Sequence, residues 1–191
     1  TGSGPDLDPT LYGEKKRYTF PVVAKRRSSF ELDLVRLAIR NHIPTLAICG
    51  GMQSMNVACG GSLYQDIPAQ VDHVLQHRQT TPAVRLSHSI SITPGSLLNR
   101  IVKRARMQVN SSHHQSVKAV GHSLIASASA PDGIVEAIEL PTHPFFLCLQ
   151  WHPEFLFERH LLHRRLFQTF LRAASRRPSL QPSPARRRNN S

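Results

Sequence analysis

Two short stretches hold residue types that could do covalent chemistry. In Ala47-Ile48-Cys49-Gly50-Gly51 an apolar run ends on a cysteine and two glycines. This reads as a buried strand, a sharp turn and a helix. That is the geometry of a nucleophile elbow, which exposes a side chain at the carboxyl end of a strand. A helix starting at the cysteine would aim its free N–H groups at the thiol and favour the thiolate. The small residues at 47, 50 and 51 let the turn close without Cβ clashes. The competing reading is a buried structural cysteine. The second stretch is Gln150-Trp151-His152-Pro153-Glu154, directly after an apolar run. In extended backbone, residues i and i+2 point to one side, so His152 and Glu154 are expected to project together, with Pro153 stiffening the spacing. A carboxylate beside an imidazole selects its tautomer and stabilises the imidazolium. Here the competing reading is a surface His–Glu pair. A separation of roughly a hundred residues between cysteine and histidine is ordinary for a site assembled by the fold.

The elements that would position these residues follow from pattern. Residues 1–27 hold Gly2, Gly4, Pro5, Pro9, Gly13, Pro21 and a basic cluster at 25–27, and read as loop. Ser28 and Glu31 fit a capping box, opening a helix to about Asn41 with Phe30, Leu34, Val35, Ala38 and Ile39 on its apolar face. Thr45–Ile48 reads as a short strand, apolar on both faces and so central, with neighbours on each side. Met52–Cys59 reads as a helix closed by Gly60-Gly61. Strands are expected at Arg85–Ile92, Met107–Asn110, Leu124–Ala128, Ile134–Leu140 and Phe145–Gln150, with a short helix near Ser96–Val102. An amphipathic helix, Glu158–Ala174, closes the chain with Leu162, Leu166, Phe167 and Phe170 inward, and its His160 and His163 are expected to be solvated. The class is α/β.

Composition narrows the functions. The 191 residues carry 24 Lys and Arg against 12 Asp and Glu, a net charge of +12. Residues 172–191 hold six arginines and no acid among prolines, serines and asparagines, the composition of a disordered basic tail. Residues 1–171, the expected single domain, keep 18 basic against 12 acidic residues. No aromatic residues interleave with the tail arginines as a base-stacking platform requires, so nucleic acid is expected as a partner only non-specifically, through the tail. No apolar run reaches the roughly 18 residues of a membrane span. Cys49, Cys59 and Cys148 are odd in number and lack C-x-x-C spacing, which argues against disulfides and a thiolate zinc site and fits a cytoplasmic protein. His113 and His114 could be read as metal ligands, but adjacent residues diverge in extended chain and no third ligand suggests itself, so no metal is expected.

The residues jointly resemble a known family. The stretches are Thr1-Gly2-Ser3 with Asp6 to Glu14; Pro44 to Asp66, including Cys49-Gly50-Gly51-Met52-Gln53 and Gly60-Gly61-Ser62-Leu63; Val109-Asn110-Ser111-Ser112-His113-His114-Gln115; and Ala130 to Ala137 with His143-Pro144-Phe145-Phe146 and Gln150 to Glu154. In order and spacing they resemble the class I glutamine amidotransferase superfamily, most nearly its γ-glutamyl-γ-aminobutyrate hydrolases of putrescine degradation. The resemblance implies a flavodoxin-like mixed sheet with helices on both faces. It also implies a cofactor-free hydrolase of small γ-glutamyl amides, with a Cys49–His152–Glu154 triad and a thioester intermediate. The backbone N–H groups of Gly2 and Gly50 would hold the oxyanion, and Gln53, His113 and Gln115 would line the γ-glutamyl pocket. Gly50 stands where the family usually has arginine, and Cys148-Leu149 replaces a common Gly-Val. The family's first strands precede the Thr1 loop and have no counterpart here, so a truncated domain, unstable or aggregating when expressed alone, is expected. The alternatives are a glutaminase subunit passing ammonia to a synthase partner, and an inactive fragment.

Overall fold

The computed structural model describes residues 6–22 and 25–176. Its framework is an eight-stranded mixed sheet. In chain order the elements are α1 (Lys25–Arg40), β1 (Thr45–Ile48), α2 (Gly50–Ala58), β2 (Ser62–Tyr64), α3 (Ile67–Gln70), β3 (His88–Ile92), α4 (Leu97–Val102), β4 (Arg106–Val109), β5 (Ser116–Ala119), β6 (Ile125–Ser129), β7 (Val135–Glu139), β8 (Phe146–Leu149) and α5 (Leu161–Ser175). The main path runs β1-β8-β7-β6-β3-β4, with β5 pairing β7 and β2 pairing β5. Among the described strands β1 and β8 pair in parallel, and the other strand pairs are antiparallel.

β8 explains why both faces of the sheet are covered. Its four residues, Phe-Leu-Cys-Leu, are all buried. Period-two alternation sends Phe146 and Cys148 into a core under α1 and α2. It sends Leu147 and Leu149 into a second core with α4 and α5. β7 divides the same way, giving Ala137 to the second core and Ile138 to the first. The expected α/β class, mixed sheet and two helical layers are therefore present. Among the described residues no helix is long and apolar enough to cross a membrane.

Several local expectations are corrected. α1 begins at Lys25, so Ser28 lies inside it, with a buried hydroxyl that has no partner among the described residues. The basic residues at 25–27 are good helix formers and extend the helix upstream. Glu31 instead pairs with Arg27 at 2.9 Å and accepts from Ser54 Oγ at 3.3 Å, tying α1 to α2. The buried face of α1 is Leu32, Val35 and Ala38, while Phe30 and Leu34 are exposed. Pro9–Tyr12 is a 3-10 turn rather than loop, capped by Asp8. β1 has one strand partner among the described residues, β8, and is half-buried over most of its length. β2 and β5 were not expected. The four residues 172–175, assigned to the tail, complete α5; the rest of that segment after Arg176, and Gly2 of the expected oxyanion hole, lie outside the described residues.

His163 is the clearest reversal. It is 2 % exposed. Spaced three residues before Leu166, it shares the inward stripe of α5. The Trp151 Nε1–H donates to His163 Nδ1 at 3.3 Å, so the ring proton resides on Nε2, which donates to the Gln108 carbonyl at 3.1 Å. Burial first, and then the charge of His160, push its pKa down to about 4, the Gln108 hydrogen bond opposing. The sign follows directly. Below about pH 6.5 the unfolded chain binds a proton here that the folded chain refuses until about 4, so stability falls across that window. The expected loss attributable to this ring is about 2 kcal/mol between pH 7 and 4.5. Denaturant titrations at both pH values should show a smaller loss in His163→Gln; an identical loss would refute this account.

Candidate active site

β1 and β8 run side by side and end together, with Ile48 opposite Leu149. The Cys49 N–H continues the ladder, donating to the Leu149 carbonyl at 2.7 Å. The chain then turns into α2 with Cys49 as the N-cap, at φ 52° and ψ −111°. A side chain rarely tolerates such a positive φ. The elbow expected from the sequence is therefore present, with Cys49 7 % exposed.

His152 follows β8 and meets the cysteine across the strand pair. Its Nδ1 lies 2.6 Å from Glu154 Oε1. The pairing expected from the sequence is present, but not for the expected reason. Pro153–Phe155 is a 3-10 turn, and His152 caps it; the turn, not an extended strand, brings the carboxylate back to the ring. The ring is further fixed through its backbone. Asn110 Oδ1 accepts the His152 N–H at 2.9 Å, and Asn110 Nδ2 donates to the His152 carbonyl at 2.9 Å. Burial pushes the His152 pKa down, but hydrogen bonds to Cys49 and Glu154 and their charges more than offset it, raising it to about 10. The raised pKa favours the imidazolium at neutral pH, with the ring placed between the Cys49 sulfur and a carboxylate.

A row of amides backs the thiol. Gln150 Nε2 approaches Cys49 Sγ at 3.7 Å. Gln53 Nε2 donates to the Gln115 carbonyl at 3.2 Å and lies 3.4 Å from Gln150 Oε1. Gln115 Nε2 donates to the Gln65 carbonyl at 2.9 Å. His113 is buried with Nδ1 on the Gln115 carbonyl and Nε2 turned toward Glu136. The two adjacent histidines do diverge: His114 binds Asp6 at 2.8 Å and Asp66 at 3.2 Å. The Asp6 hydrogen bond above all raises its pKa, against burial. Gln150 and Asn110 belong to stretches the sequence singled out, but their roles depend on partners far along the chain. A separate concave surface at the C-terminal end of α4, lined by Asn99, Arg100, Lys103, Arg104 and Ala105, contains none of these residues.

A strand ending on a strained cysteine at a helix N-cap, with a His–Glu pair on the parallel neighbour, gives a class I glutamine amidotransferase fold. Solved structures agree on the fold. The CTPS glutaminase domain of Trypanosoma brucei matches with a TM-score of 0.57 at 21% identity, covering 84% of this chain and 70% of that one. A glutamine amidotransferase of Thermotoga maritima matches with a TM-score of 0.52 at 14% identity, covering 85% and 69%. More specifically, the Peptidase C26 family model matches residues 1–154. The chain belongs to that family of cysteine-dependent hydrolases. A relative from Escherichia coli O157:H7, the γ-glutamyl-γ-aminobutyrate hydrolase, is 36% identical over 90% of this chain and 69% of its own length.

Proposed function

We propose that this chain hydrolyses γ-glutamyl amides of the γ-glutamyl-γ-aminobutyrate type, with Cys49 as nucleophile. The observation that carries the reading is the His152 ring at the mouth of the β1–β8 pair, 2.6 Å from Glu154 Oε1 and near enough to Cys49 for the sulfur to raise its pKa. The Cys49 thiolate attacks the γ-carbonyl carbon, and the oxyanion is received by the Gly50 N–H at the start of α2, with Gly2 as the second donor. As the C–N bond breaks, His152 gives its proton to the leaving amine, and a γ-glutamyl thioester remains on Cys49. His152, now neutral, takes a proton from water. The hydroxide oxygen adds to the thioester, the C–S bond breaks, and glutamate leaves with the thiolate restored. Glu154 holds the ring and its charge throughout, and Gln53, His113 and Gln115 form the wall on the γ-glutamyl side. The resemblance to the Escherichia coli hydrolase supports the substrate class.

The test compares γ-glutamyl-γ-aminobutyrate with glutamine, following glutamate and amine release with and without hydroxylamine. Hydroxylamine should divert product to γ-glutamyl hydroxamate without slowing amine release, since it intercepts the thioester after the amine has left. Release of glutamate with no hydroxamate at any hydroxylamine concentration would sink the covalent route. A preference for glutamine would sink the substrate assignment.

A further inference from the structure

The sheet buries a second group of titratable side chains, of which the proposed reaction uses only His113, as part of the γ-glutamyl wall. Glu136 on β7 is 0 % exposed. Three imidazoles approach its Oε1: His88 Nε2 at 3.1 Å, His77 Nδ1 at 3.2 Å and His113 Nε2 at 3.6 Å. The His77 ring stands 5.0 Å from that of His88 and 4.9 Å from that of His113, centroid to centroid. Three buried polar atoms in this group, Glu136 Oε2, His113 Nε2 and His88 Nδ1, make no hydrogen bond among the described residues. Burying unsatisfied polar atoms costs stability, so a group that leaves three of them together calls for a reason.

The tautomers supply it. His113 Nδ1 lies 2.9 Å from the Gln115 carbonyl oxygen. A carbonyl only accepts, so Nδ1 carries the ring proton and the neutral ring presents a bare lone pair at Nε2. His77 Nε2 lies 2.9 Å from Asp132 Oδ2. That carboxylate also accepts the Leu75 N–H at 2.8 Å and the Ile134 N–H at 3.3 Å, which holds it as the anion. Burial lowers the His77 pKa, but Glu136 and Asp132 together raise it above the ordinary value; in the neutral ring the Asp132 contact places the proton on Nε2 and leaves Nδ1 bare. Ser111 Oγ, 3.5 Å from that Nδ1, gives its proton to the His77 carbonyl at 2.6 Å instead. Two nitrogen lone pairs and a carboxylate oxygen thus converge, all within 4.8 Å of one another. Such a convergence repels unless a cation lies between. A proton on His113 Nε2 would pull the contact inside hydrogen-bond range, and 3.6 Å is beyond it. Donor atoms on one tetrahedral ion, each about 2.0–2.1 Å from it, stand about 3.4 Å apart.

We infer that His77 Nδ1, His113 Nε2 and Glu136 bind a single divalent transition-metal ion, zinc by donor chemistry. Two imidazoles and one carboxylate are a zinc donor set, whereas magnesium and calcium want oxygen. The outer partners fit as well. Metal-bound histidines hold their second ring N–H on a carboxylate or a carbonyl, and here Asp132 and the Gln115 carbonyl play those parts. His88 Nε2, 3.1 Å away, is the third nitrogen within reach of the Glu136 oxygen. From sequence only His113 and its neighbour His114 offer themselves as ligands, and no metal is expected, because the other donors come from distant segments. The ion braces rather than reacts. The Gln115 carbonyl that orients His113 also receives Gln53, and the Gln150 N–H donates to the Glu136 carbonyl at 2.8 Å, so the wall behind Cys49 hangs on the same residues.

The experiment uses the full chain, without an affinity tag, grown with added zinc and freed of loose metal by gel filtration. Elemental analysis is expected to find about one zinc per chain. After chelator treatment, added Co²⁺ should give the visible bands of a four-coordinate site, and zinc should raise the melting temperature. His77→Gln and His113→Gln should lose the bands. Should either variant fail to fold, X-ray absorption on the unmutated zinc protein decides, with nitrogen and oxygen donors at about 2.0–2.1 Å and no sulfur expected. A folded protein that holds no stoichiometric zinc, gives no cobalt bands and does not gain stability with zinc overturns the inference and leaves a shared proton in the gap. Sulfur in the metal shell would overturn it too, by placing the ion elsewhere.

Discussion

Cys49→Ala is expected to lower glutamate release from γ-glutamyl-γ-aminobutyrate to the uncatalysed background, a loss of at least about three orders of magnitude. Alanine keeps the Cβ and the backbone conformation at φ 52° and deletes only the sulfur. The sulfur's neighbours are the Gln150 amide at 3.7 Å and the His152 ring, both held by other partners. The fold should therefore survive, with a melting temperature within a few degrees of the parent. Initial rates at saturating substrate, read beside a thermal melt, separate the two effects. A folded alanine variant that still turns over at the parent rate would remove Cys49 from the reaction.

The second large effect concerns the proton donor. His152→Ala should cost about 10²–10⁴ in kcat/KM, the usual contribution of a positioned acid–base group. The pH profile carries the sharper test. The form that protonates the leaving amine is the imidazolium, and its pKa is raised to about 10. Activity that needs this form is full at neutral pH and falls as pH rises through about 10. Cys49 and Glu154 are the charged groups facing the ring, and both raise its pKa. Removing one charge with Glu154→Gln should move the alkaline limb to lower pH, with less loss near pH 7. The raised pKa also affects stability. The ring stabilises the fold fully below about pH 6.5, and that contribution is lost as pH rises through about 10. If the limb stays in place in Glu154→Gln, the carboxylate does not tune the ring.

How much of this was legible in the sequence depended on distance along the chain. Cys49 and the His152–Glu154 pair could be read because each is a local pattern: an apolar run into glycines, and an imidazole one proline from a carboxylate. β8 could be read because a strand buried on both faces is apolar throughout. β2 and β5 escaped because three or four residues such as Ser62-Leu63-Tyr64 offer too little alternation to count. Strand partners are tertiary facts, so Thr45–Ile48 looked central by composition yet pairs with β8 alone among the described residues. The Glu136 cluster was illegible for the same reason. His77 and His113 lie in connecting segments, His88 on β3 and Glu136 on β7, and only the folded sheet brings them to one point.

The positive φ of Cys49 bears on how such a protein ages under selection. Holding a non-glycine residue in that conformation costs about 1–3 kcal/mol, out of a domain's total of about 5–15. Glycine alone would relax the turn, and glycine has no sulfur. Cysteine and glycine codons differ by a single base, so the inert, better-rested protein is always one point mutation away. Robustness to heat and retention of chemistry therefore pull this position in opposite directions. Where demand for the reaction lapses, residue 49 is the place in the chain at which drift toward greater durability would first erase the activity.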